Sequence, residues 1–154
     1  MPLPRALLAL LTVPAFVLAA CGGPAPTREE FAAEANRVCT EAQQEVEQQA
    51  RENPNQPPEQ ALDQASDQLR GIIDDLRGLE RPEGEPGEMA ERYVDGLEQQ
   101  LDRGLPVLER FQKALESRDR QAIQRAAREA QALQGQGAEL RSLANRLGLN
   151  KCQQ

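Results

Sequence analysis

Apolar residues recur three or four positions apart along most of this chain. This spacing places them on one face of an α-helix, whereas a strand would show strict alternation rich in β-branched residues, which no stretch has. Gln, Glu, Ala, Leu and Arg dominate the positions between them, and all five favour helices. The pattern therefore predicts an all-α domain.

Prolines, glycines and capping residues divide the pattern into four amphipathic helices. The first opens with the capping-box sequence Thr27-Arg28-Glu29-Glu30 and fades where a proline-rich loop begins. The predicted helices are residues 27 to about 53, 58 to just before 82, 86 or 87 to 116, and 119 to 147. The connections between them are short, which is typical of helices that pack side by side.

The fourth helix has the most regular apolar face. Asp119 is a suitable N-cap for it, and Gly148 is a suitable left-handed C-cap, after which Leu149 folds back onto the last turn. Its seam follows a heptad pattern. The seam residues are Ile123, Ala126, Ala130, Leu133, Gly137, Leu140, Ala144 and Leu147. Because many of them are small, this helix can approach its neighbours closely.

Four such helices predict an up-down antiparallel four-helix bundle. Pro106 lies inside the third helix and removes a backbone donor, and Gly104 lies just before it. We expect a kink near Pro106 or a break into two shorter helices, and such a break allows a three-helix arrangement instead. A long open coiled coil is disfavoured because its seams would need partner chains.

The N-terminal segment differs from the rest of the chain. Arg5 supplies a positive charge, and residues 6–20 form an apolar run that only Thr12 and Pro14 interrupt. The run is shorter than the ~20 residues that a spanning helix needs, and it fits a signal peptide. It ends in Leu18-Ala19-Ala20-Cys21.

These four residues resemble the lipobox of bacterial lipoproteins. The resemblance implies that the Cys21 thiol receives a diacylglyceryl group carrying chains such as palmitate, and that a peptidase cuts between Ala20 and Cys21. Several acyl chains give stable membrane anchoring where one would not. An ordinary secretory signal with an incidental Cys21, or an uncleaved anchor, is the alternative interpretation.

The resulting organisation is a signal peptide at residues 1–20, a lipidated tether at 21–26 and a helical domain at 27–154. The tether is rich in Gly and Pro, and its five residues after the cysteine reach at most about 18 Å. We therefore expect the domain to stay close to the extracytoplasmic face of the cell membrane.

Cys39 and Cys152 remain once Cys21 is assigned to lipid. The outer face of a bacterial membrane permits disulfides, and in an antiparallel bundle the end of the fourth helix returns to the first half of the first. A Cys39–Cys152 bond is therefore predicted. Two free thiols or intermolecular pairing are the alternatives, and no Cys-x-x-Cys pair suggests redox activity.

The two ends of the domain resemble a family of small actinobacterial helical proteins that are secreted or lipid-anchored. The resemblance lies in FAAEANRVC at residues 31–39 and in GLNKC at residues 148–152. It implies the helical fold and the disulfide, and it implies no activity.

Candidate chemistry is sparse. The chain has no histidine, which removes the usual catalytic bases and the commonest metal ligand, and it has no phosphate-binding glycine loop. The carboxylates Asp74 and Asp75 diverge on a helix, and a turn carries three more acidic residues, Glu83, Glu85 and Glu88. Both groups are interpreted as solvated surface. We predict no catalytic residue, no cofactor and no metal site, and hence no enzyme.

The net charge limits the classes of molecule that the chain is expected to bind. The chain carries a formal charge of −7, and removing the one charged signal residue, Arg5, makes it −8. Such a chain does not bind nucleic acid through a concentrated basic face. The leading hypothesis is a non-catalytic envelope lipoprotein, anchored through Cys21, whose outward loops at 54–58 and 116–119 meet an envelope protein. The alternative hypothesis is a ligand-binding or sensing domain with a cavity between helices near Gly104 and Pro106.

Overall fold

The computed structural model describes residues 24–153, apart from the side chains of residues 134–136. Over this part of the chain the secondary structure is helical, without strands. The helices are α1 (Arg28–Glu52), α2 (Pro58–Gly78), α3 (Glu85–Glu116) and α4 (Arg120–Leu147), followed by a short 3₁₀ turn (Lys151–Gln153). The prediction of an all-α domain with four helices is confirmed. None of the helices in this part of the chain is both long and apolar enough to cross a bilayer.

The predicted helix ends are confirmed where side chains cap them. The Thr27 hydroxyl accepts a hydrogen bond from the Glu30 amide, and the Glu30 carboxylate accepts one from the Thr27 amide at 2.8 Å. At the start of α4, the Asp119 carboxylate accepts hydrogen bonds from the amides of Gln121 and Ala122. These bonds satisfy donors that the first turn of a helix cannot satisfy internally.

The C-terminal end of α4 also follows the prediction. Gly148 has a φ of 81°, a left-handed conformation that glycine adopts without steric cost. The Leu149 amide then donates to the Ala144 carbonyl oxygen at 2.8 Å, and the Leu149 side chain is fully buried. The chain therefore reverses after α4 and brings residues 150–153 back toward α1.

Helix α3 continues through Pro106, so the alternative prediction of two shorter helices is wrong. Pro106 is exposed, and α3 has a buried residue on each side of it, Leu101 and Val107.

Most of the hydrophobic core lies where α1 begins, α2 ends, α3 begins and α4 ends. We call this the packed region. Its buried residues are Phe31, Ala32, Ala35, Val38, Ile73, Leu76, Met89, Ala90, Tyr93, Val94, Leu101, Leu143, Ala144, Leu147 and Leu149. Every helix contributes to it, so the packed region joins the whole domain.

The Cys39–Cys152 disulfide is confirmed, with the two Cα atoms 5.2 Å apart. Asn36 supports it one turn earlier on α1. The Asn36 side-chain amide donates to the Gly148 carbonyl oxygen at 2.9 Å, and its side-chain oxygen accepts from the Lys151 amide at 2.8 Å. Two hydrogen bonds and one covalent bond thus fasten the C-terminal tail to α1.

The remaining half of the helices forms what we call the open region: α1 after Thr40, α2 before Gly71, α3 after Asp102 and α4 before Gly137. Here α3 and α4 still pack together through buried Val107, Ala114 and Ala126. Several large apolar residues that belong to the three- or four-residue repeat of α1, α2 and α3 are about half exposed instead of buried. They are Val46, Leu69, Leu108 and Leu115. The stripes therefore do not fill the interior along its whole length.

Candidate functional site

An apolar cleft occupies the interior that the open region leaves unfilled. Its volume is about 420 Å³, which lies within the range of small-molecule sites. Helices α2 and α3 form its walls, Leu133 of α4 contributes to its lining, and the Cys39–Cys152 disulfide lies beside it. The α2 wall consists of Leu62, Ala65, Ser66, Leu69, Ile72, Ile73 and Leu76, and the α3 wall of Tyr93, Leu97, Gln100, Leu101, Gly104, Leu105 and Leu108.

The helical repeat explains why these residues share the cleft. On each wall they recur three or four positions apart, so they lie on one face. The α2 wall extends from Leu62 to Leu76, which at 1.5 Å per residue is about 21 Å. The cleft is therefore elongated along the helices. Tyr93, Ile73 and Leu76 lie in its lining at the packed region, while half-exposed Leu69 and Leu108 contribute where the helices are open to solvent.

Gly104 contributes space to the α3 wall. A Cβ atom built on it would meet nothing within 4 Å, whereas leucines occupy neighbouring positions on the same face. The alternative hypothesis expects a cavity between helices near Gly104 and Pro106, and Gly104 lines the cleft. Pro106 itself is exposed and does not line the cleft.

Polar groups in the lining are few and uncharged. The Ser66 hydroxyl donates to the Asp63 carbonyl oxygen of its own helix at 2.7 Å, so it is already satisfied. Gln100 and Tyr93 are the other polar side chains among the lining residues. An unpaired ion is costly in such an environment, so the cleft suits a neutral or hydrocarbon group.

Tyr93 is a largely buried residue whose hydroxyl adds a polar group to the lining. Its side chain is 3% exposed, and its hydroxyl makes no hydrogen bond to any residue between 24 and 153. Burial raises the pKa of Tyr93 above its ordinary value of 10.0, so the hydroxyl keeps its proton at physiological pH. It is therefore available to donate to an acceptor atom of a ligand.

Ion pairs connect the two walls at the surface. The Arg77 guanidinium lies 2.8 Å from the Glu98 carboxylate, and Arg70 lies 3.8 Å from Asp102. Each pair joins α2 to α3. All four side chains are about half exposed, and exposed pairs of this kind contribute little to stability.

The acidic candidates form no shared site. Asp74 is exposed and lies 3.6 Å from Arg77, while Glu85 pairs with Arg146 of α4 at 2.6 Å. Between residues 24 and 153, no group of three or more Cys, Asp or Glu side chains is arranged to hold a metal ion. Ala20 and Cys21, the predicted cleavage and lipidation residues, lie outside the described residues.

The sequence pattern does not signal two structural features. Tyr93 lies at the spacing of the apolar residues, and that spacing does not indicate a hydroxyl without a hydrogen-bond partner. Asn36 is a polar residue beside apolar positions of α1, where a side chain is ordinarily solvated, and no local pattern indicates its hydrogen bonds to the C-terminal tail. A comparison of the chain with protein-family models, with curated proteins and with solved structures finds no match in any of the three.

Proposed function

We propose that this chain is a lipid-anchored extracytoplasmic binding protein whose cleft holds an elongated apolar ligand. The observation that carries the proposal is the cleft itself: about 420 Å³, walled mainly by leucines and isoleucines, with the Tyr93 hydroxyl among its few polar groups. This is the ligand-binding hypothesis of the sequence, and its site has the mostly apolar lining with few polar groups that small-molecule pockets share.

The dimensions of the cleft suit a thin apolar chain. Its walls run for about 21 Å along the helices, and its volume is about 420 Å³. At about 30 Å³ for a group the size of a water molecule or a methylene, it accommodates about 14 methylenes. An acyl chain of ordinary length therefore fits the cleft.

The energetics support the same ligand class. Each methylene moved from water into an apolar site contributes about 0.8 kcal/mol. Affinity should therefore rise with chain length until the cleft is full and then level off. A terminal carbonyl or carboxyl oxygen can accept the hydrogen bond that Tyr93 offers.

The anchor supplies the setting for such a ligand. We propose that residues 1–20 are removed as a signal peptide, that Cys21 carries lipid, and that residues 21–26 tether the domain near the membrane. The lipobox-like sequence ending at Cys21 supports this proposal. A domain held within about 18 Å of a bilayer by its tether has membrane lipids within reach.

The arrangement of the helices belongs to the same proposal. An up-down antiparallel bundle accounts for a core made of the beginnings of α1 and α3 and the ends of α2 and α4. A bend of α3 at Gly104 and Pro106 would lean its second half away from α2. Such a bend would widen the cleft where the open region begins.

Two glycines offer a matched test of the cleft. Gly104 lines it and Gly71 does not, yet both lie inside helices with open space around a built Cβ. Fatty-acid binding is measured with a fluorescent polyene fatty acid that palmitate displaces. Gly104→Leu should abolish this binding because the new side chain fills the cleft, and Gly71→Leu should leave the binding unchanged. Equal binding by both variants, or no fatty-acid binding by the unaltered protein, would refute the proposal.

Cys21→Ser tests the anchor separately. The variant should leave the membrane fraction or accumulate as an uncut precursor, because the lipid can no longer be attached. Cell fractionation with mass determination of the mature protein measures both effects. Unaltered processing together with unaltered membrane retention would contradict lipidation at Cys21.

An interaction with an envelope protein is the second candidate function. The observation that favours it is Leu115, which is half exposed next to the Glu116–Asp119 turn. A photo-crosslinker at Arg118 in that turn should then capture a defined protein in intact cells. Adducts formed only from positions near Thr27, and none from Arg118, would contradict a partner at this turn.

A further inference from the structure

A second apolar pocket lies against the cleft on the α1 side. This side pocket holds about 240 Å³ between α1, α2 and the C-terminal tail. It shares three residues with the cleft: Cys39, Ile72 and Cys152. The disulfide and one isoleucine therefore form a wall that the two adjoining apolar spaces share.

The α1 wall of the side pocket is apolar and open to solvent. Ala42 and Val46 line it one turn apart, and Val46 is 47% exposed although it belongs to the apolar stripe of α1. Gln43 is exposed on the same helix. Like the cleft, the side pocket presents an apolar surface that no residue in the described part of the chain covers.

Lys151 is the charged residue among those that line the two spaces. Its backbone is fixed, because the Lys151 amide donates to the Asn36 side chain and Cys152 follows it in the disulfide. Its side chain is exposed and makes no ion pair with any residue from 24 to 153. A cation thus stands beside the wall that the two apolar spaces share.

We propose that the cleft and the side pocket together bind one lipid with two acyl chains and an anionic headgroup, one chain in each space and the headgroup beside Lys151. The inference rests on the proposed function of the cleft and names its ligand more narrowly. Two adjoining apolar spaces match two chains that diverge from one glycerol. The single cation at their junction matches one phosphate.

The unequal sizes of the two spaces make the assignment specific. At about 30 Å³ per methylene, the side pocket accommodates about 8 methylenes against about 14 in the cleft. One chain is therefore held over most of its length, and the end of the other projects past Val46 into solvent or the bilayer. The Tyr93 hydroxyl is positioned in the cleft lining to donate to an ester or other acceptor oxygen of the longer-held chain.

The test measures binding of the full chain to four probes. These are palmitate, lysophosphatidylglycerol, phosphatidylglycerol and phosphatidylcholine, each supplied from vesicles or micelles and each competing with a fluorescent fatty acid. The unaltered protein should bind phosphatidylglycerol at least about tenfold more tightly than lysophosphatidylglycerol, since the second chain adds buried hydrocarbon. It should also prefer phosphatidylglycerol over zwitterionic phosphatidylcholine.

Two variants assign these preferences to residues. Ala42→Phe fills the side pocket and should remove the preference for two chains while palmitate binding persists, and Ala50→Phe, an exposed position on the same helix, is its control. Lys151→Gln should remove the preference for the anionic lipid, and Lys151→Arg should retain it. Persistent palmitate binding shows that each variant is folded.

The outcomes separate this inference from the function on which it rests. If palmitate binds but one-chain and two-chain lipids bind equally, the two-chain inference is wrong and the cleft proposal stands. The same conclusion follows if Ala42→Phe weakens palmitate as much as phosphatidylglycerol. If no probe binds the unaltered protein, both proposals are wrong.

Discussion

The packed and open regions are built from the same four helices, and in both regions each helix has an apolar face. Those faces are covered in the packed region and partly exposed to solvent in the open region. On α2, Leu76 is 1% exposed and Leu69, two turns earlier on the same face, is 47% exposed. Both residues satisfy the helical repeat equally well. The repeat identifies which face is apolar, and the neighbouring chain decides whether that face is covered.

The two regions differ in what is available to cover that face. The packed region has the aromatic side chains of Phe31 and Tyr93 and the folded-back Leu149, all buried. In the open region, α1 and α2 meet through hydrogen-bonded glutamines, with the Gln64 amide donating to the Gln49 side chain at 2.5 Å. A polar seam between α1 and α2 brings no bulky group into the interior, so the interior there stays open.

The largest expected effect comes from removing the disulfide that closes the packed region. The bond joins residues 113 positions apart, and the loop-entropy relation gives about 5 kcal/mol for a loop of that size. Cys39→Ala with Cys152→Ala should therefore lower the free energy of unfolding by about that amount, because the unfolded chain gains freedom. Urea unfolding at equilibrium measures the change.

Cys21→Ala is the control for the loss of a cysteine as such, because Cys21 is not part of the bond. It should leave the unfolding free energy of the purified domain unchanged. A double alanine variant as stable as the unaltered protein would show that the packed region holds the tail without covalent help.

A pair of leucines compares the two regions directly. Leu76→Ala should cost about 2–5 kcal/mol, as large-to-small substitutions in closed cores do. Leu69→Ala should cost under about 1 kcal/mol, because half of its surface is already in water. Equal losses of unfolding free energy in the two variants would mean that the open region is closed in solution.

The fold was predictable from sequence where local chemistry determines it. The Thr27 capping box, the Asp119 cap and the left-handed Gly148 each involve residues within one or two turns, and all three are confirmed. The alternative prediction, that α3 breaks into two helices at Pro106, was wrong. A proline removes one hydrogen bond, and the rest of a 32-residue helix was sufficient to continue through it.

The sequence indicated where along α3 the candidate site lies, but not which residues line it or how open it is. Gly104 correctly marked where α3 lacks side-chain volume, but periodicity carried no sign that Leu69 and Leu108 would remain exposed. The cleft and the side pocket both depend on the distances between whole helices. Those distances are a long-range property, as are the hydrogen bonds of Asn36 to the C-terminal tail, and local patterns do not encode either.

Two glycines on α3 should respond to alanine with opposite signs. A Cβ on Gly87, in the packed region, would collide with the backbone carbonyl oxygen of Pro82, so Gly87→Ala should cost about 1–3 kcal/mol. A Cβ on Gly104 meets open space, so Gly104→Ala should stabilise the helix by about 1 kcal/mol. Thermal unfolding of both variants measures the signs. Stabilisation by both would place Gly87 away from Pro82.

The smallest expected effect concerns acid, and it compares the caps of the two regions. Hydrogen bonds from the Ala122 and Gln121 amides hold the pKa of Asp119 below its ordinary value of 3.8. Bonds with Thr27 likewise hold the pKa of Glu30 below 4.5. Each carboxylate therefore stabilises its helix above its ordinary pKa, and the contribution is lost as the pH falls through the lower folded value.

The consequences should differ because only one cap is fastened by a core. Phe31 follows Glu30 and is buried in the packed region, whereas the turn at Asp119 lies in the open region. Acid should therefore loosen the first turn of α4 well before that of α1, as amide hydrogen exchange between pH 5 and pH 3 would measure. Asp119→Asn keeps an acceptor oxygen that does not titrate, so it should abolish the acid dependence at α4. Equal loss of protection at both helix starts would show that packing around Phe31 gives α1 no advantage over α4.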